Sequence, residues 1–159
     1  MEAAEFHSQP AFHGALHALV EEACALRLRR IVLVHESFEG WPLDDRAFLE
    51  TLSAFVRLPG RQVAILGRGL ERLRARSPRL AAWRQVWSHG LDIRTPDDEA
   101  APLPGLSLAD RHFAVELDDE PPWRGRTRAH SREVVQRALE IDARMQRSVP
   151  AFPGSILGL

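Results

Sequence analysis

The side chains with the clearest potential for chemistry follow a short apolar run. His35, Glu36 and Trp41 come after IVLV at 31–34, a β-branched run without alternation, which is typical of a strand buried on both faces. Ligands in open α/β sheets bind beyond the carboxyl ends of the strands. These three residues are therefore candidate ligand-binding residues. A polar strand end followed by a Trp that closes the core would give the same pattern.

A run of arginines is the second candidate. Six arginines and one acid, Glu71, lie between 68 and 84, and Arg72, Arg76 and Arg79 are at its centre. Guanidinium groups bind phosphate oxygens through paired hydrogen bonds, so this segment could bind an anion. The alternatives are a solvated helix face, or pairing with the acidic stretches 97–99 and 118–120.

Other reactive groups are sparse. His13 and His17 have the spacing of one helical turn, but no Glu completes a His-Glu-x-x-His motif and there is no obvious third ligand. Cys24 is the only cysteine, and lysine is absent, which excludes an internal disulfide, a thiolate cluster and Lys-based chemistry. Glycine-rich phosphate loops and a Gly-x-Ser-x-Gly elbow are also absent. We expect no metal site and no cofactor.

Length and charge place the chain among ordinary globular proteins. It has 159 residues, 45% of them hydrophobic, and a net charge of −1, which suits one α/β domain over 1–159. There is no basic stripe interleaved with aromatic residues, so we do not expect nucleic acid as a partner. Neither a signal peptide nor an apolar stretch of about 20 residues is present. The expected location is cytoplasmic.

The best-supported elements form a strand, a crossover helix and a parallel strand. Asp44 is the predicted N-cap of the helix, whose apolar residues follow one-face spacing until Pro59-Gly60 ends it. The second strand covers 63–66. Because a crossover of this length joins parallel neighbours, we predict a mostly parallel sheet with flanking helices.

The remaining segments extend this pattern. Helices are predicted at 11–28, 69–75, 78–87 and 129–147, and a strand at 91–94. A β-hairpin should turn at Asp110-Arg111. We expect loops at 95–105 and 121–128. Residues 1–9 are predicted to be an N-terminal extension, and 148–159 a C-terminal strap over an apolar groove.

The order of elements resembles one half of a phospholipase D-like domain. In that family a strand carries His-x-Lys, and an Asp follows five residues after the Lys. Asp110, in LSLADRHFAVEL, matches the Asp, whereas the His and Lys positions hold Leu103 and Gly105. The resemblance therefore implies a non-catalytic domain that binds a protein partner or a phosphate-bearing ligand. The alternative is a phosphodiesterase or another hydrolase with a rearranged site built from His35, Glu36, Asp110 and arginines.

Three segments, ESFEGWPLDD, SPRLAAWRQVWSHG and VPAFPGSILGL, also resemble a small uncharacterised bacterial family with the same degenerate pattern. Active members of the superfamily use two halves that face each other. The resemblance therefore implies that two copies of this chain form a homodimer.

Overall fold

In the computed structural model, which describes residues 1–97, 99 and 101–151, eight strands form one mixed sheet. The strands are β1 Ala4–Phe6, β2 Arg30–His35, β3 Gln62–Gly67, β4 Leu91–Pro96, β5 Gly105–Ala109, β6 Phe113–Asp119, β7 Arg124–Arg128 and β8 Ser148–Pro150. Their order across the sheet is β1-β7-β6-β5-β2-β3-β4-β8. The helices are α1 Gln9–Ala25, α2 Arg46–Val56, α3 Leu70–Arg76, α4 Pro78–Val86 and α5 Arg132–Gln146.

The helices cover the two faces of the sheet unequally. Ile31 and Leu33 of β2 belong to a core shared with α1, α2, α3 and α4. Val32 and Val34 belong to a second core with α5. Because successive strand residues point to opposite faces, a strand that is apolar at every position buries both, as IVLV predicted. No helix in the described part of the chain is long and apolar enough to cross a membrane.

The predicted α/β class, the flanking helices and the hairpin are confirmed. β2 and β3 are parallel, with Ile31 opposite Val63. The sheet is mixed rather than mostly parallel, because only the pairings of β3 with β2 and β4 are parallel among those described. The hairpin joins β5 and β6, and β5 also pairs antiparallel with β2.

The predicted N-cap of the crossover helix is wrong by one residue. Asp45, not Asp44, is the N-cap of α2: its side chain accepts a hydrogen bond of 2.9 Å from the Ala47 N–H. Asp44 lies in a short 3₁₀ turn, Pro42–Asp44, and its carboxylate accepts a 2.8 Å bond from the Arg79 N–H in the first turn of α4. The carboxylate thus satisfies a helix N–H that has no partner inside its own helix.

Three segments predicted to lack regular structure contain strands. The predicted loop at 121–128 includes β7, the predicted N-terminal extension includes β1, and β1 pairs with β7. The first residues of the predicted strap form β8, antiparallel to β4. The rest of the strap, 152–159, lies outside the described residues.

Candidate functional site

The candidate site lies where the central strands end. β2 ends at His35 and β3 at Gly67, and both strands run in the same direction. β5 is antiparallel to β2, so its first residues lie at the same edge. The turn between β6 and β7 is also at this edge, because β6 runs antiparallel to β5. Residues from four parts of the sequence therefore meet around His35 and Glu36.

His35 has both ring nitrogens occupied. Its Nε2 lies 2.8 Å from Glu120 Oε1, and its Nδ1 accepts hydrogen bonds from the Phe38 N–H at 2.7 Å and the Ser37 N–H at 3.2 Å. Nδ1 must therefore carry a lone pair, and Nε2 carries the hydrogen that is donated to Glu120. Burial lowers the pKa of His35, although the Glu120 carboxylate opposes the shift. These contacts hold the loop that follows β2, and neither ring nitrogen of His35 is free to bind a substrate.

The lowered pKa of His35 predicts a pH dependence of stability. Because the native state favours the neutral ring, the unfolded chain takes up a proton below about pH 6.5 that the native state resists. This contribution to stability is present above that pH and is lost as the pH falls through the folded pKa. Between about pH 7 and pH 5, wild type should therefore lose more unfolding free energy than His35→Gln, as measured by denaturant titration.

The exposed His89 provides the matched control. His89→Gln should retain the wild-type loss of stability across the same pH range. A His35→Gln profile parallel to that of wild type would show that the His35 ring does not govern this loss.

Glu36 fastens a distant loop to the end of β2. Its Oε1 accepts bonds from Arg68 Nη1 at 2.5 Å and from the Leu103 N–H at 2.6 Å. Burial acts to raise the pKa of Glu36, but these two bonds outweigh it and lower the pKa below its usual value. Arg68 and Arg144 in turn donate to the Ala101 carbonyl, at 2.8 and 2.9 Å. The carboxylate is therefore engaged in holding the segment that precedes β5.

Trp41 is an aromatic core residue at this edge. It is 7% exposed, and its ring lies 5.0 Å from Phe12 and 5.1 Å from Phe38, between centroids. Trp123, from the turn between β6 and β7, stacks on Phe12 at 5.6 Å. A Cβ at Gly40 would lie 2.3 Å from the Trp123 ring, so only glycine fits there. The structure places Trp41 in the closure of the core, as one of the two interpretations of its position anticipated.

Asp110 lies at the opposite end of β2 from His35. Its carboxylate accepts 2.9 Å bonds from the Arg29 and Arg30 N–H groups. Five residue steps along β2 separate Arg30 from His35, which is about 16 Å at the rise of a strand. The structure therefore does not bring Asp110 together with His35 and Glu36 in one site.

Leu103 and Gly105, at the positions of the family's His and Lys, are packing residues. Leu103 is 6% exposed and belongs to the core beneath α5. A Cβ at Gly105 would lie 3.0 Å from the Leu117 Cβ on the neighbouring strand. Leu103 is therefore buried, and a side chain at 105 would press against β6.

Five of the predicted arginines lie on α3 and α4, and we call them the arginine surface: Arg72, Arg74, Arg76, Arg79 and Arg84. All of them except Arg84 are exposed. Burial lowers the pKa of Arg84, and the charge of Arg74 lowers it further, as expected where positive charge is concentrated.

Internal contacts engage Arg76 and Arg79 of this surface, whereas the Arg72 side chain makes none with any described residue. Arg76 donates a 2.6 Å bond to the Ser37 carbonyl. Arg79 lies 3.8 Å from the Asp44 carboxylate. One of the two acidic stretches that could neutralise this surface is engaged elsewhere, because Asp118 and Asp119 pair with arginines of β7. The other, 97–99, includes Asp98, which lies outside the described residues.

Three residues at this edge were not predicted to contact the ends of β2 and β3. Glu120, Leu103 and Arg144 reach the ends of β2 and β3 from segments that are far apart in the chain. The available signal was a carboxylate beside the predicted loop at 121–128, and the position of that loop relative to β2 was not predicted.

Two solved structures have an architecture similar to that of this chain. A phospholipase D family member, Nuc from Salmonella typhimurium, superimposes with a TM-score of 0.57 over 94% of this chain and 99% of its own, at 11% identity. The fold is phospholipase D-like. TrmBL2, an archaeal chromatin protein with a novel mode of DNA binding, superimposes with a TM-score of 0.65 over 95% of this chain, at 13% identity. The chain spans 54% of TrmBL2. The sequence matches no protein-family model and no curated protein.

The TrmBL2 match corrects one expectation. Nucleic acid was not expected as a partner, since net charge and aromatic content gave no signal for it. That exclusion is wrong, because an archaeal chromatin protein that binds DNA superimposes on 95% of this chain. Charge averaged over the whole chain conceals a local concentration such as the arginine surface.

Proposed function

We propose that this chain is a non-catalytic phospholipase D-like domain that binds a phosphate-bearing polymer, with nucleic acid as the favoured class. One observation carries the non-catalytic part. Leu103 and Gly105 occupy the positions of the family's nucleophile and its charge-stabilising Lys, and both are packed against neighbouring strands or helices. Leu cannot attack phosphorus and Gly provides no charge, so the reaction loses its main groups.

The candidate residues of the sheet edge support the same proposal. His35 donates to Glu120 and accepts from two backbone N–H groups, and Glu36 accepts from Arg68 and Leu103. A general acid or base needs a free nitrogen or oxygen within reach of substrate. With Asp110 at the far end of β2, the alternative of a rearranged phosphodiesterase site receives no support from this geometry.

The arginine surface supports the choice of ligand. Arg72 is exposed and makes no side-chain hydrogen bond or ion pair with any described residue. Arg76 and Arg79 are exposed beside it, and Glu71 is the only acid within α3 and α4. Several guanidinium groups on adjacent helices suit a ligand that carries successive phosphates, because each phosphate neutralised releases condensed counterions.

Charge reversal on this surface should weaken binding. Arg72→Glu with Arg76→Glu is expected to reduce the affinity for a short DNA duplex at least tenfold at about 0.1 M salt, because two phosphate contacts become repulsive. The slope of log K against log salt concentration should fall by about 2. Fluorescence anisotropy with a labelled duplex and a labelled single strand measures both quantities.

Arg132→Glu with Arg147→Glu is the matched control, because it makes the same change in net charge on exposed residues beside the opposite core. Arg72→Glu alone removes no internal bond among the described residues and separates binding from any effect of the lost bond between Arg76 and Ser37. Equal losses of DNA affinity in the two double variants would mean that the change in net charge alone explains the effect. Absence of DNA binding by wild type would leave a protein partner as the ligand class. Light scattering of the same samples tests the proposed homodimer.

A further inference from the structure

We propose that His112 and His130 form a two-histidine site for a divalent transition metal such as Zn²⁺. His112 lies in the turn between β5 and β6, and His130 lies in the segment between β7 and α5. Their ring centroids are 5.2 Å apart, and both residues are exposed. In the sequence, only histidines one helical turn apart suggested a shared ligand, whereas the pairing of Ala114 on β6 with Arg128 on β7 brings His112 and His130 together.

The hydrogen bond of His130 prepares its ring for a metal. Nδ1 lies 3.0 Å from the Arg111 carbonyl oxygen, which can only accept, so Nδ1 carries the hydrogen and Nε2 the lone pair. Metal-ligating histidines typically donate their other ring N–H to a carbonyl or carboxylate in this way, which fixes the tautomer and orients the ring. The His112 ring makes no hydrogen bond with any described residue, so its nitrogens are available.

The distance between the rings suits a shared ion. Imidazole nitrogens bind zinc at about 2.0–2.1 Å, and two rings in a tetrahedral arrangement then have centroids roughly 5 Å apart. Imidazole is a good ligand for Zn²⁺, Cu²⁺ and Ni²⁺, whereas Mg²⁺ and Ca²⁺ prefer oxygen. The two imidazoles therefore favour Zn²⁺, Cu²⁺ or Ni²⁺ over Mg²⁺ and Ca²⁺.

Two protein ligands leave coordination positions open. Among the described residues no group of three or more histidine, cysteine or acidic side chains is placed to hold an ion. The nearby Asp142 pairs with Arg30 at 3.0 Å, and Asp110 is bonded to backbone N–H groups. A cavity of 390 Å³ beside His112 is lined by both aspartates. Water or a bound anion would complete the coordination, and the metal would tie the β5–β6 turn to the segment leading into α5.

Isothermal titration of the full chain with ZnCl₂ tests the site. Wild type should bind one equivalent of Zn²⁺, and His112→Gln or His130→Gln should each reduce the affinity at least about tenfold. His7→Gln and His89→Gln, at exposed histidines elsewhere, should bind as wild type does. Circular dichroism checks that each variant is folded.

A second readout follows the proposed ligand atom. In wild type labelled with ¹⁵N-histidine, Zn²⁺ should shift the Nε2 resonance of His130 and leave Nδ1 as the protonated nitrogen. No saturable binding to wild type, or equal affinity in His112→Gln, His130→Gln and the controls, would overturn the site. A shift at Nδ1 in place of Nε2 would overturn the assigned ligand atom.

Discussion

Asp110→Ala is expected to lower the free energy of unfolding by about 2–4 kcal/mol. The carboxylate accepts two backbone hydrogen bonds of 2.9 Å, from Arg29 and Arg30. Asp110 itself has a φ of 47° in the turn between β5 and β6, a conformation that Asp and Asn tolerate better than most residues. Ala would leave both N–H groups without this acceptor and would add strain to the turn. Denaturant titration measures the loss.

Two further variants test whether the loss of stability comes from the two backbone hydrogen bonds of Asp110 or from the loss of its charge. Asp110→Asn keeps an oxygen acceptor and the tolerance for positive φ, so it should lose roughly half as much stability as the Ala variant. Asp118→Ala removes an acid that is 44% exposed and pairs with Arg126, and it should cost about 1 kcal/mol or less. If Asp110→Ala were as stable as Asp118→Ala, the two backbone bonds would contribute little. Asp110 would then require another role.

The fold could be predicted best where burial alone decides the structure. Ile31, Leu33, Val63 and Ile65 all point into the core shared with α1 and α2, and an apolar run with no alternation already implies two covered faces. The intervening helix has Phe48, Leu52 and Phe55 on one face, as its spacing requires. Local pattern and tertiary burial agree in this unit, so its type and its parallel pairing were predictable.

β7 could not be predicted, because cross-strand charge pairs rather than apolar residues contribute to its pairing. Arg126 lies 2.7 Å from Asp118, and Arg128 lies 2.8 Å from Glu116. A Cβ at Gly125 would lie 2.0 Å from the Glu116 carbonyl oxygen, so close strand contact requires glycine. In sequence, alternating arginine with Gly and Thr after two prolines indicates a loop. The acidic partners become visible only when β6 is known to be adjacent.

The positions of His35 and Glu36 at the end of β2 could be predicted from sequence, but the contacts of their side chains could not. Functional residues commonly follow the carboxyl ends of strands, and His35 and Glu36 lie at that end of β2, as predicted. This tendency does not say whether a side chain is free. Glu120 and the Leu103 N–H, which occupy His35 and Glu36, come from the β6–β7 turn and the segment before β5. Asp110 was grouped with them by residue type, and the antiparallel direction of β5 places it at the other end of β2.

Restoring the family's catalytic pair is expected to destabilise this chain without creating an enzyme. Leu103→His with Gly105→Lys should lower the free energy of unfolding by about 4 kcal/mol or more. The first change puts a polar ring into an apolar core, and the second forces a Cβ to within 3.0 Å of Leu117. Hydrolysis of a chromogenic phosphodiester should stay at background. Denaturant titration and that assay measure the two outcomes.

Leu103→Met is the matched control, because it conserves volume and polarity and should cost less than about 1.5 kcal/mol. A folded Leu103→His, Gly105→Lys variant that hydrolyses the phosphodiester would contradict the proposal of a non-catalytic domain. It would mean that only the His and Lys were lost and that a phosphate could still reach them. The expected failure has a different cause. Leu103 is packed beneath α5 and its N–H donates to Glu36, so a substrate could reach a side chain at 103 only if this segment moved.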